Sequence, residues 1–410
     1  MNLFTVDELM RSRRYFVIDP GFEDFDSHHS VVGDALIRDA GLLKKEILVL
    51  ASNKLELSLK RQEDKTVPFF ATPCYTNNLK PLPADRENVL ADSFMEELRK
   101  LFQTYDITER DVLLIHTGFS HLYLGFAQLF ASLGKQSSPK LIVCGMFDPG
   151  SQCIEFKEDA LRFLWFLKNK LSLSYLKQSA FPRNIVFATS CNEYKVGYQA
   201  LVDSPVYVHP AINYQPITNL NVSKKERKRL LLFVGSVKKD KGLEFILKNI
   251  AFLLSELSSI DFVFHWNTNS PGIRDFTDVE VGLTKLSNRF NNLDLVSGTL
   301  DKEEYERLFN SVQGVVASYA PSSYKHKTSG VFWDVLRRDS CTLLCSNGTW
   351  LARESLALGE SAYFFDYEDI ASMIRAIKEW ESHEQSGVNN DSSYKKMICK
   401  PFSEWVFSQF

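Results

Sequence analysis

No apolar run in the sequence approaches the roughly 18 residues of a membrane-spanning helix, which argues against an integral membrane protein. Neither sign of charge is in large excess, because 48 lysines and arginines face 51 aspartates and glutamates and leave a net charge of -3. A chain so balanced has no overall field that would draw it to nucleic acid. Any polyanionic ligand must therefore be met by a local cluster of basic side chains.

The seven cysteines lack the spacing of a redox pair or a zinc site, since none stands in a CxxC motif. They lie mostly in apolar runs, at Cys74, Cys144, Cys153, Cys191, Cys341, Cys345 and Cys399. This usage predicts reduced core thiols. The N-terminal stretch MNLFTVDELMRSRR also lacks the apolar segment of a signal peptide. We therefore expect a cytoplasmic protein that can act as a peripheral protein on the inner face of the membrane.

The 410 residues are 44% hydrophobic, enough for two or three domains with buried cores. Short apolar runs alternate with helix-length amphipathic stretches, a pattern typical of parallel sheets flanked by helices. Candidate strands in the first half begin at Tyr15, Glu46, Asp111, Lys140, Asn184 and Val206. These strands predict one doubly wound domain over residues 1–210.

Residues 211–229 lose this periodicity and end in the charge run SKKERKR, which predicts a linker. Strands then resume at Leu230, Ile260, Leu293, Gly314 and Cys341, and they predict a second domain over residues 230–385. The apolar group WVF in residues 394–410 predicts a segment that crosses back to the first domain. The fold class is therefore α/β, with two doubly wound Rossmann-like domains facing a central cleft where ligands bind at strand ends.

The segment FVGSVKKDKG places Gly235, Ser236, Lys239 and Lys241 between a buried strand and a helix. Backbone amides at a helix start, together with a lysine, suit a diphosphate. A tight strand-helix turn with solvated lysines is the alternative interpretation.

The segment SYAPSSYKHKTSGVFWDVL is more specific, because a strand ends in a polar loop just before a helix. The loop residues are Tyr324, Lys325, His326, Lys327, Thr328, Ser329 and Gly330. Amides at the helix start and the flanking lysines favour phosphate oxygens. Asp334, one turn inside the helix, can accept hydrogen bonds from a ribose or can be an ordinary first-turn acid.

The order of these parts, VGSVKKDKG, then VSGTLDKEEYERLFNSVQGVVAS, then APSSYKHKTSGVFWDVLRRDS, resembles the donor domain of retaining GT-B glycosyltransferases, particularly glycosyltransferase family 4. The likeness covers roughly residues 230–380 and is weaker over residues 1–210. It implies that Lys241 is the phosphate-binding lysine, Gly298 the glycine beside the base, and Ser329 and Gly330 the loop facing the sugar phosphate. Asp334 matches the second acid of the family motif, which holds the donor ribose.

Two positions depart from the family pattern. Ser236 stands where the family usually has an arginine for the diphosphate, and His326 stands where the first glutamate of the motif is expected. A lysine replaces that arginine only as a point charge, which Lys325, Lys327 or Lys239 could supply. These departures leave open a non-catalytic binding or assembly subunit with a degenerate donor site. A sugar-nucleotide epimerase of the same fold is a weaker alternative.

In the first half, the loop DPGFEDFDSHH brings His28 and His29 to the start of a helix, and HTGFSH places His116 and His121 after another strand. The imidazoles of His28, His29 and His116 are candidates for a general base or an acceptor contact, and that of His121 for an acceptor contact, with caps and packing as the alternative. Asp148 is similarly placed. The stretch from Ala160 to Gln178 is a core helix or an interfacial one that meets lipid.

The resemblance implies a transferase that moves sugar from a nucleotide diphosphate sugar, such as a UDP- or GDP-sugar, to a glycan or lipid-linked acceptor in bacterial surface polysaccharide synthesis. Negative charge grows on the leaving diphosphate, and Lys241 would stabilise it. The family generally works without a metal or other cofactor. We also expect front-face retention of configuration and no nucleic-acid partner.

Overall fold

The computed structural model describes residues 13–24, 28–56, 65–76, 83–134, 137–145, 160–180, 182–212, 227–235, 237–267, 278–383 and 393–410. At positions 28, 160–162, 182 and 302 it describes the backbone alone. The chain divides into two units, residues 1–213 with 400–410, and residues 214–399. The interpretations of Asp148 and Ser236 and most of the linker fall outside the described residues.

The first unit is built on a parallel sheet of seven strands in the order β3-β2-β1-β4-β5-β6-β7. The strands are β1 Arg14–Asp19, β2 Glu46–Ser52, β3 Thr66–Phe70, β4 Val112–Ile115, β5 Lys140–Gly145, β6 Ile185–Thr189 and β7 Val206–Val208. The central strands are apolar and buried along nearly their whole length, as a sheet covered on both faces requires.

Helices follow most of these strands. They are α1 His28–Leu42, α2 Ala84–Tyr105, α3 Ser120–Leu133, α4 Ala160–Ser179 and α5 Asn192–Val202, with a 3₁₀ turn at Pro182–Asn184. The buried face of α2 runs along most of the helix, from Glu87 and Ala91 through Phe94 and Leu98 to Leu101. Within the described part of the chain, no helix is long and apolar enough to cross a membrane.

The second unit is a parallel sheet of six strands in the order β10-β9-β8-β11-β12-β13. Its strands are β8 Arg229–Phe233, β9 Asp261–Trp266, β10 Leu293–Ser297, β11 Gly314–Ala317, β12 Thr342–Ser346 and β13 Ala362–Phe365. Its helices are α6 Leu243–Glu256, α7 Val279–Arg289, α8 Lys302–Asn310, α9 Pro321–Tyr324, α10 Gly330–Leu336, α11 Trp350–Leu358, α12 Ile370–Ser382 and α13 Ser393–Ile398, with a 3₁₀ turn at Lys239–Lys241. The expectation of two doubly wound α/β sheets is confirmed.

The strand orders locate the ligand-binding edges. In each sheet the order reverses beside the first strand of the unit, between β1 and β4 in the first unit and between β8 and β11 in the second. Chains leave such a switch point in opposite directions and open a crevice at the carboxyl ends of the two strands. Asp19 and His116 lie at the first crevice, and Gly235 and Ser318 lie at the second.

The C-terminal helix α14, Phe402–Phe407, belongs to the first unit. Phe402 and Val406 are buried in the core cluster that includes Tyr15 and Val17, and the Ser403 hydroxyl donates to Asp39 Oδ2 at 2.6 Å. The crossing segment therefore begins at residue 400, whereas α13 packs on α11 in the second unit.

Substitution of Phe402 by alanine should weaken the first unit selectively. Loss of a buried phenylalanine typically costs about 3 to 5 kcal/mol of unfolding free energy. We expect faster amide exchange in β1, measured by hydrogen exchange and mass spectrometry, and unchanged exchange in β8. The exposed neighbour on the same helix, Glu404, provides the matched control Glu404→Ala. Equal loss of protection in both sheets would contradict the assignment of α14 to the first unit.

Candidate functional site

A buried histidine joins three strand ends in the second unit. His265, in β9, accepts a hydrogen bond at Nδ1 from the Gly235 amide at 3.4 Å. Its Nε2 lies 3.0 Å from the Gly298 carbonyl oxygen, so the ring carries its proton on Nε2 and donates there. Burial lowers the pKa of His265, which favours this neutral form. Two glycines expected at the donor site are thereby held by one side chain.

Both glycines adopt backbone conformations that other residues rarely reach. Gly235 has φ +84° and Gly298 has φ +104°, after β8 and β10 respectively. The Gly298 amide also donates to the Trp266 carbonyl at 3.0 Å. The loops after three adjacent strands are therefore fixed relative to one another by hydrogen bonds through β9.

The 3₁₀ turn Lys239–Lys241 packs directly on the loop that follows β11. A Cβ atom at Gly242, which has φ +71°, would lie 1.9 Å from the Ser318 carbonyl oxygen, so only glycine fits there. The Ser318 hydroxyl donates to the Lys241 carbonyl at 3.2 Å, and the Ala320 amide donates to the Asp240 carbonyl at 2.8 Å. The 3₁₀ turn that carries Lys241 therefore meets the loop of residues 318–329 at the switch point of the second sheet. We call this loop the Pro-Ser loop, after Pro321 and Ser322.

The Lys241 ammonium lies inside this junction. Its Nζ is 3.2 Å from where a Cβ at Gly235 would stand, and 5.9 Å from the centre of the Tyr319 ring. Burial, assisted by the charges of Lys238 and Lys327 and opposed by Asp240, lowers the pKa of Lys241 to about 8. Among the described residues, no carboxylate lies within 4.0 Å of this ammonium. It is a cation placed to receive an anion.

The Pro-Ser loop carries further basic groups beside it. Lys327 Nζ lies 3.2 Å from Asp240 Oδ2 and 4.5 Å from the centre of the Tyr324 ring. Lys325 is exposed, and its carbonyl accepts from the Arg353 guanidinium. His326, Thr328 and Ser329 are half-buried, and Gly330 is exposed at the start of α10. Ser329 Oγ lies 3.4 Å from the Tyr319 hydroxyl.

Asp334 is held from two sides inside the same unit. Tyr305 donates to its Oδ2 at 2.9 Å, and Arg337 Nη2 lies 3.1 Å from its Oδ1. Burial raises the pKa of the Asp334 carboxyl, while Arg337 and Tyr305 oppose that rise. Because each carboxylate oxygen has two lone pairs, one acceptor position per oxygen is left for a ligand. The role of Asp334 in holding ribose stays a prediction, as does that of Lys239, which pairs with Glu244 at 3.5 Å on the surface.

In the first unit, three titratable side chains converge at the β1–β4 switch point. Asp19 lies between two imidazoles, with its Oδ1 2.7 Å from His29 Nδ1 and its Oδ2 2.7 Å from His116 Nε2. Burial alone would raise the pKa of Asp19, but His116 and His29 outweigh burial and hold it below its usual range. The second nitrogen of each ring faces a hydroxyl, that of Tyr75 at 2.8 Å and that of Thr117 at 3.0 Å.

The other histidines of this region are placed differently. His121 Nε2 lies 3.0 Å from the Pro73 carbonyl, and its ring stacks on Phe119, which is a packing arrangement. His28 begins α1, but its side chain is outside the described part of the structure. The acceptor-side roles of His28, His29 and His116 stay predictions.

Several site residues were not anticipated from the sequence. In the first unit these are Asp19 and Tyr75, which contact His29. In the second unit they are His265, which contacts Gly298, and Tyr305 and Arg337, which contact Asp334. Asp19 and His265 stand at or next to the carboxyl ends of predicted strands, a position that could have identified them. Tyr305 and Arg337 lie on helices and carried no such signal.

Comparison with solved structures identifies the fold. Sucrose-phosphate synthase from Thermosynechococcus elongatus is similar over 97% of this chain and 95% of its own, with a TM-score of 0.55 and 13% identity. An α,α-trehalose-phosphate synthase (UDP-forming) from Burkholderia xenovorans, in complex with glucose-6-phosphate, is similar over 97% of this chain and 98% of its own, with a TM-score of 0.59 and 12% identity. HepE from Anabaena, in complex with UDP and glucose, is similar over 98% of this chain and 96% of its own, with a TM-score of 0.54 and 11% identity.

These three are GT-B glycosyltransferases, and the chain has their fold. No protein-family model matches the sequence, and no curated protein sequence matches it significantly. The expected GT-B architecture is thus confirmed, whereas membership of family 4 and the retaining mechanism stay predictions.

Replacing His265 by phenylalanine tests whether this ring fixes the two glycine loops. The variant keeps an aromatic ring but leaves a buried amide and a buried carbonyl without their partner, which costs about 1 to 3 kcal/mol. We expect faster hydrogen exchange in residues 233–237 and 297–300. His383→Phe, at an exposed position in the same unit, is the control. Unchanged exchange in both loops would show that the histidine does not hold them.

Proposed function

We propose that this chain transfers a sugar from a nucleotide diphosphate sugar to a glycan or lipid-linked acceptor. The single observation that carries the proposal is the Lys241 ammonium, half-buried at the switch point of the second sheet with no carboxylate within 4.0 Å among the described residues. A diphosphate supplies the missing negative charge. The likeness of the whole fold to GT-B glycosyltransferases supports the same class of reaction.

The geometry suits stabilisation of a leaving group. As the glycosidic bond breaks, negative charge grows on the diphosphate, and a fixed ammonium in a water-poor site stabilises that charge more than it stabilises the ground state. Lys327 and Lys325 lie on the adjoining loop and can supply part of the charge that an arginine at position 236 would carry. In this proposal lysines, rather than a divalent cation, neutralise the diphosphate.

Uridine is the base we propose first. One structural neighbour is described as UDP-forming, and another was solved with UDP and glucose. Thermal-shift titration with UDP, GDP, ADP and CMP tests this choice, since a ligand at about 100 times its dissociation constant stabilises the protein by about 2.7 kcal/mol. Stabilisation by none of the four would contradict the proposal.

Lys241→Met should weaken UDP binding by about 10- to 100-fold, because charged hydrogen bonds contribute about 1.5 to 3 kcal/mol. Isothermal titration calorimetry measures the affinity. Lys248→Met, which removes an exposed lysine on α6, is the matched control. Equal affinities for the two variants would remove Lys241 from the site.

The lowered pKa of Lys241 gives the site a pH signature. In the free protein the lysine loses its proton as the pH rises through about 8, so UDP affinity should be nearly constant between about pH 7 and 8, where the UDP phosphates are ionised, and should fall above pH 8 by no more than the 10- to 100-fold lost in Lys241→Met. In a Lys241→Arg variant that still binds UDP, this decline should vanish, since the guanidinium stays charged. If the UDP affinity of Lys241→Arg fell with rising pH around the same midpoint, another group would be responsible for the titration.

A non-catalytic binding subunit of the same fold is the second candidate. It is favoured by the Tyr305 and Arg337 contacts of Asp334, which occupy part of the carboxylate expected to hold the ribose. UDP-sugar hydrolysis or transfer by the purified chain distinguishes the two functions. Binding of UDP without turnover of any UDP-hexose supports the subunit.

An exposed apolar stripe on α4 supports a lipid-linked acceptor. Phe163, Leu167, Leu171 and Tyr175 recur every fourth residue and are 36% to 71% exposed, while the opposite face of the helix is buried. Contiguous exposed apolar side chains mark contact surfaces. Two of its lysines are engaged within the protein, Lys168 with Glu87 and Lys177 with the Val202 and Asp203 carbonyls. Contact through this stripe would therefore be mainly apolar.

Leu171→Glu should reduce sedimentation of the chain with phosphatidylglycerol vesicles, because a carboxylate then faces the acyl boundary. Vesicle binding by the wild type should change little between 0.1 and about 0.5 M salt, because the contact is mainly apolar and electrostatic adhesion is strongly screened over that range. Val196→Glu replaces another exposed apolar residue of the first unit and is the control. Equal sedimentation of both variants would rule out α4 as the contact.

A further inference from the structure

The Asp19, His29 and His116 side chains form a compact buried cluster at the switch point of the first sheet. The ligand atoms of the three residues lie within 4.8 Å of one another. The exposed fractions are only 2%, 2% and 0%. Two imidazoles and one carboxylate are donors that Zn²⁺ and the neighbouring divalent transition metals bind well.

The outer nitrogen of each ring has its own partner. His29 Nε2 lies 2.8 Å from the Tyr75 hydroxyl, and His116 Nδ1 lies 3.0 Å from the Thr117 hydroxyl. Hydroxyls can accept as well as donate, so each can take the N–H of a ring whose inner nitrogen offers its lone pair to the cluster. Metal-binding histidines characteristically have such an outer partner, which fixes the ring orientation.

The backbone leaves room for this convergence. A Cβ atom at Gly21 would lie 2.4 Å from His29 Cε1, so the ring reaches Asp19 only because residue 21 is glycine. The Gly21 amide donates to Asp19 Oδ1 at 3.2 Å. The three ligands come from the end of β1, the start of α1 and the end of β4, which meet at the switch point of the first sheet.

Charge also favours a cation in the cluster. Within the described residues, no lysine or arginine lies within 4.0 Å of the Asp19 carboxylate. A buried carboxylate needs a positive partner or a strong set of donors, and the ionisable side chains that contact this one are imidazoles. A divalent ion supplies that charge directly.

We propose that Asp19, His29 and His116 bind one divalent transition-metal ion of the zinc class, through His29 Nδ1, His116 Nε2 and the Asp19 carboxylate. The two 2.7 Å separations would widen toward the roughly 3.3 Å between ligands of a tetrahedral zinc ion with bonds of about 2.0 Å. With the ion bound, each ring would carry its proton on the outer nitrogen and donate a hydrogen bond to the Tyr75 or Thr117 hydroxyl. This site lies in the first unit and is independent of the phosphate contacts proposed for the second.

The test uses the untagged full-length chain, stripped with a chelator and titrated with Co²⁺ while the visible absorption of the ion is recorded. We expect one Co²⁺ per chain with the spectrum of a low-coordinate nitrogen and oxygen site, and displacement of the ion by Zn²⁺. His29→Gln and His116→Gln should each lower the affinity by about 100-fold or more, and Tyr75→Phe, which removes only an outer partner, by about tenfold. His121→Gln, at an equally buried imidazole of the same unit, should bind as wild type.

A second measurement covers variants that do not fold. Zn²⁺ should raise the thermal transition of wild type and slow amide exchange at the ends of β1 and β4, with no change in β8. Absence of stoichiometric Co²⁺ uptake by wild type, or an equal loss of affinity in His121→Gln, would overturn the proposal. The cluster would then be a proton-sharing network of one carboxylate and two imidazoles.

Discussion

The second unit of this molecule depends on one close approach, that of Gly242 to the Ser318 carbonyl. Any side chain at residue 242 would overlap that oxygen, so the turn after β8 and the loop after β11 can pack only if the residue is glycine. The packing is reinforced by the Ala320 amide on the Asp240 carbonyl. It brings the ammonium of Lys241 and the basic Pro-Ser loop to one edge of the sheet. The electrostatics of the second unit therefore follow from a steric constraint on the backbone.

The neighbouring charges show why Lys241 differs from the other lysines there. Lys327 has Asp240 as a partner, and Lys239 has Glu244, so these two charges are partly balanced within the protein. Lys241 instead loses hydration without gaining a carboxylate, and burial shifts its pKa toward neutrality. That is an unfavourable arrangement for the unliganded protein. An anion that enters the site recovers the lost electrostatic energy, which makes the arrangement understandable as part of a binding site.

The sequence was sufficient for the central strands and for the edge strands β7 and β10, which begin at the predicted Val206 and Leu293. β1, β2, β5 and β9 begin within a residue or two of their predicted positions, because their apolar runs are buried on both faces. The edge strands β3 and β13 were missed, and β3 contains Pro68, which is tolerated only where no partner needs its amide. For the site, local motifs predicted Lys241 and Gly298. The contacts of Asp19 with His116 and of His265 with Gly298 span 97 and 33 residues, and no local pattern encodes them.

The two switch points are opposite in charge, and that contrast bears on function. Among the described residues, a half-buried cation lacks an anion at the β8–β11 crevice, whereas a buried anion at the β1–β4 crevice has imidazoles as its ionisable partners. Desolvation of Lys241 is not offset by a carboxylate, and Asp19 is held by imidazoles alone, so neither group has a permanently charged partner among the described residues. Imbalance at the carboxyl ends of both sheets, where this class of fold binds its ligands, is therefore better explained by ligands of opposite charge than by folding. We therefore expect a phosphate to bind in the second unit and a cation in the first, and each expectation can be tested without the other.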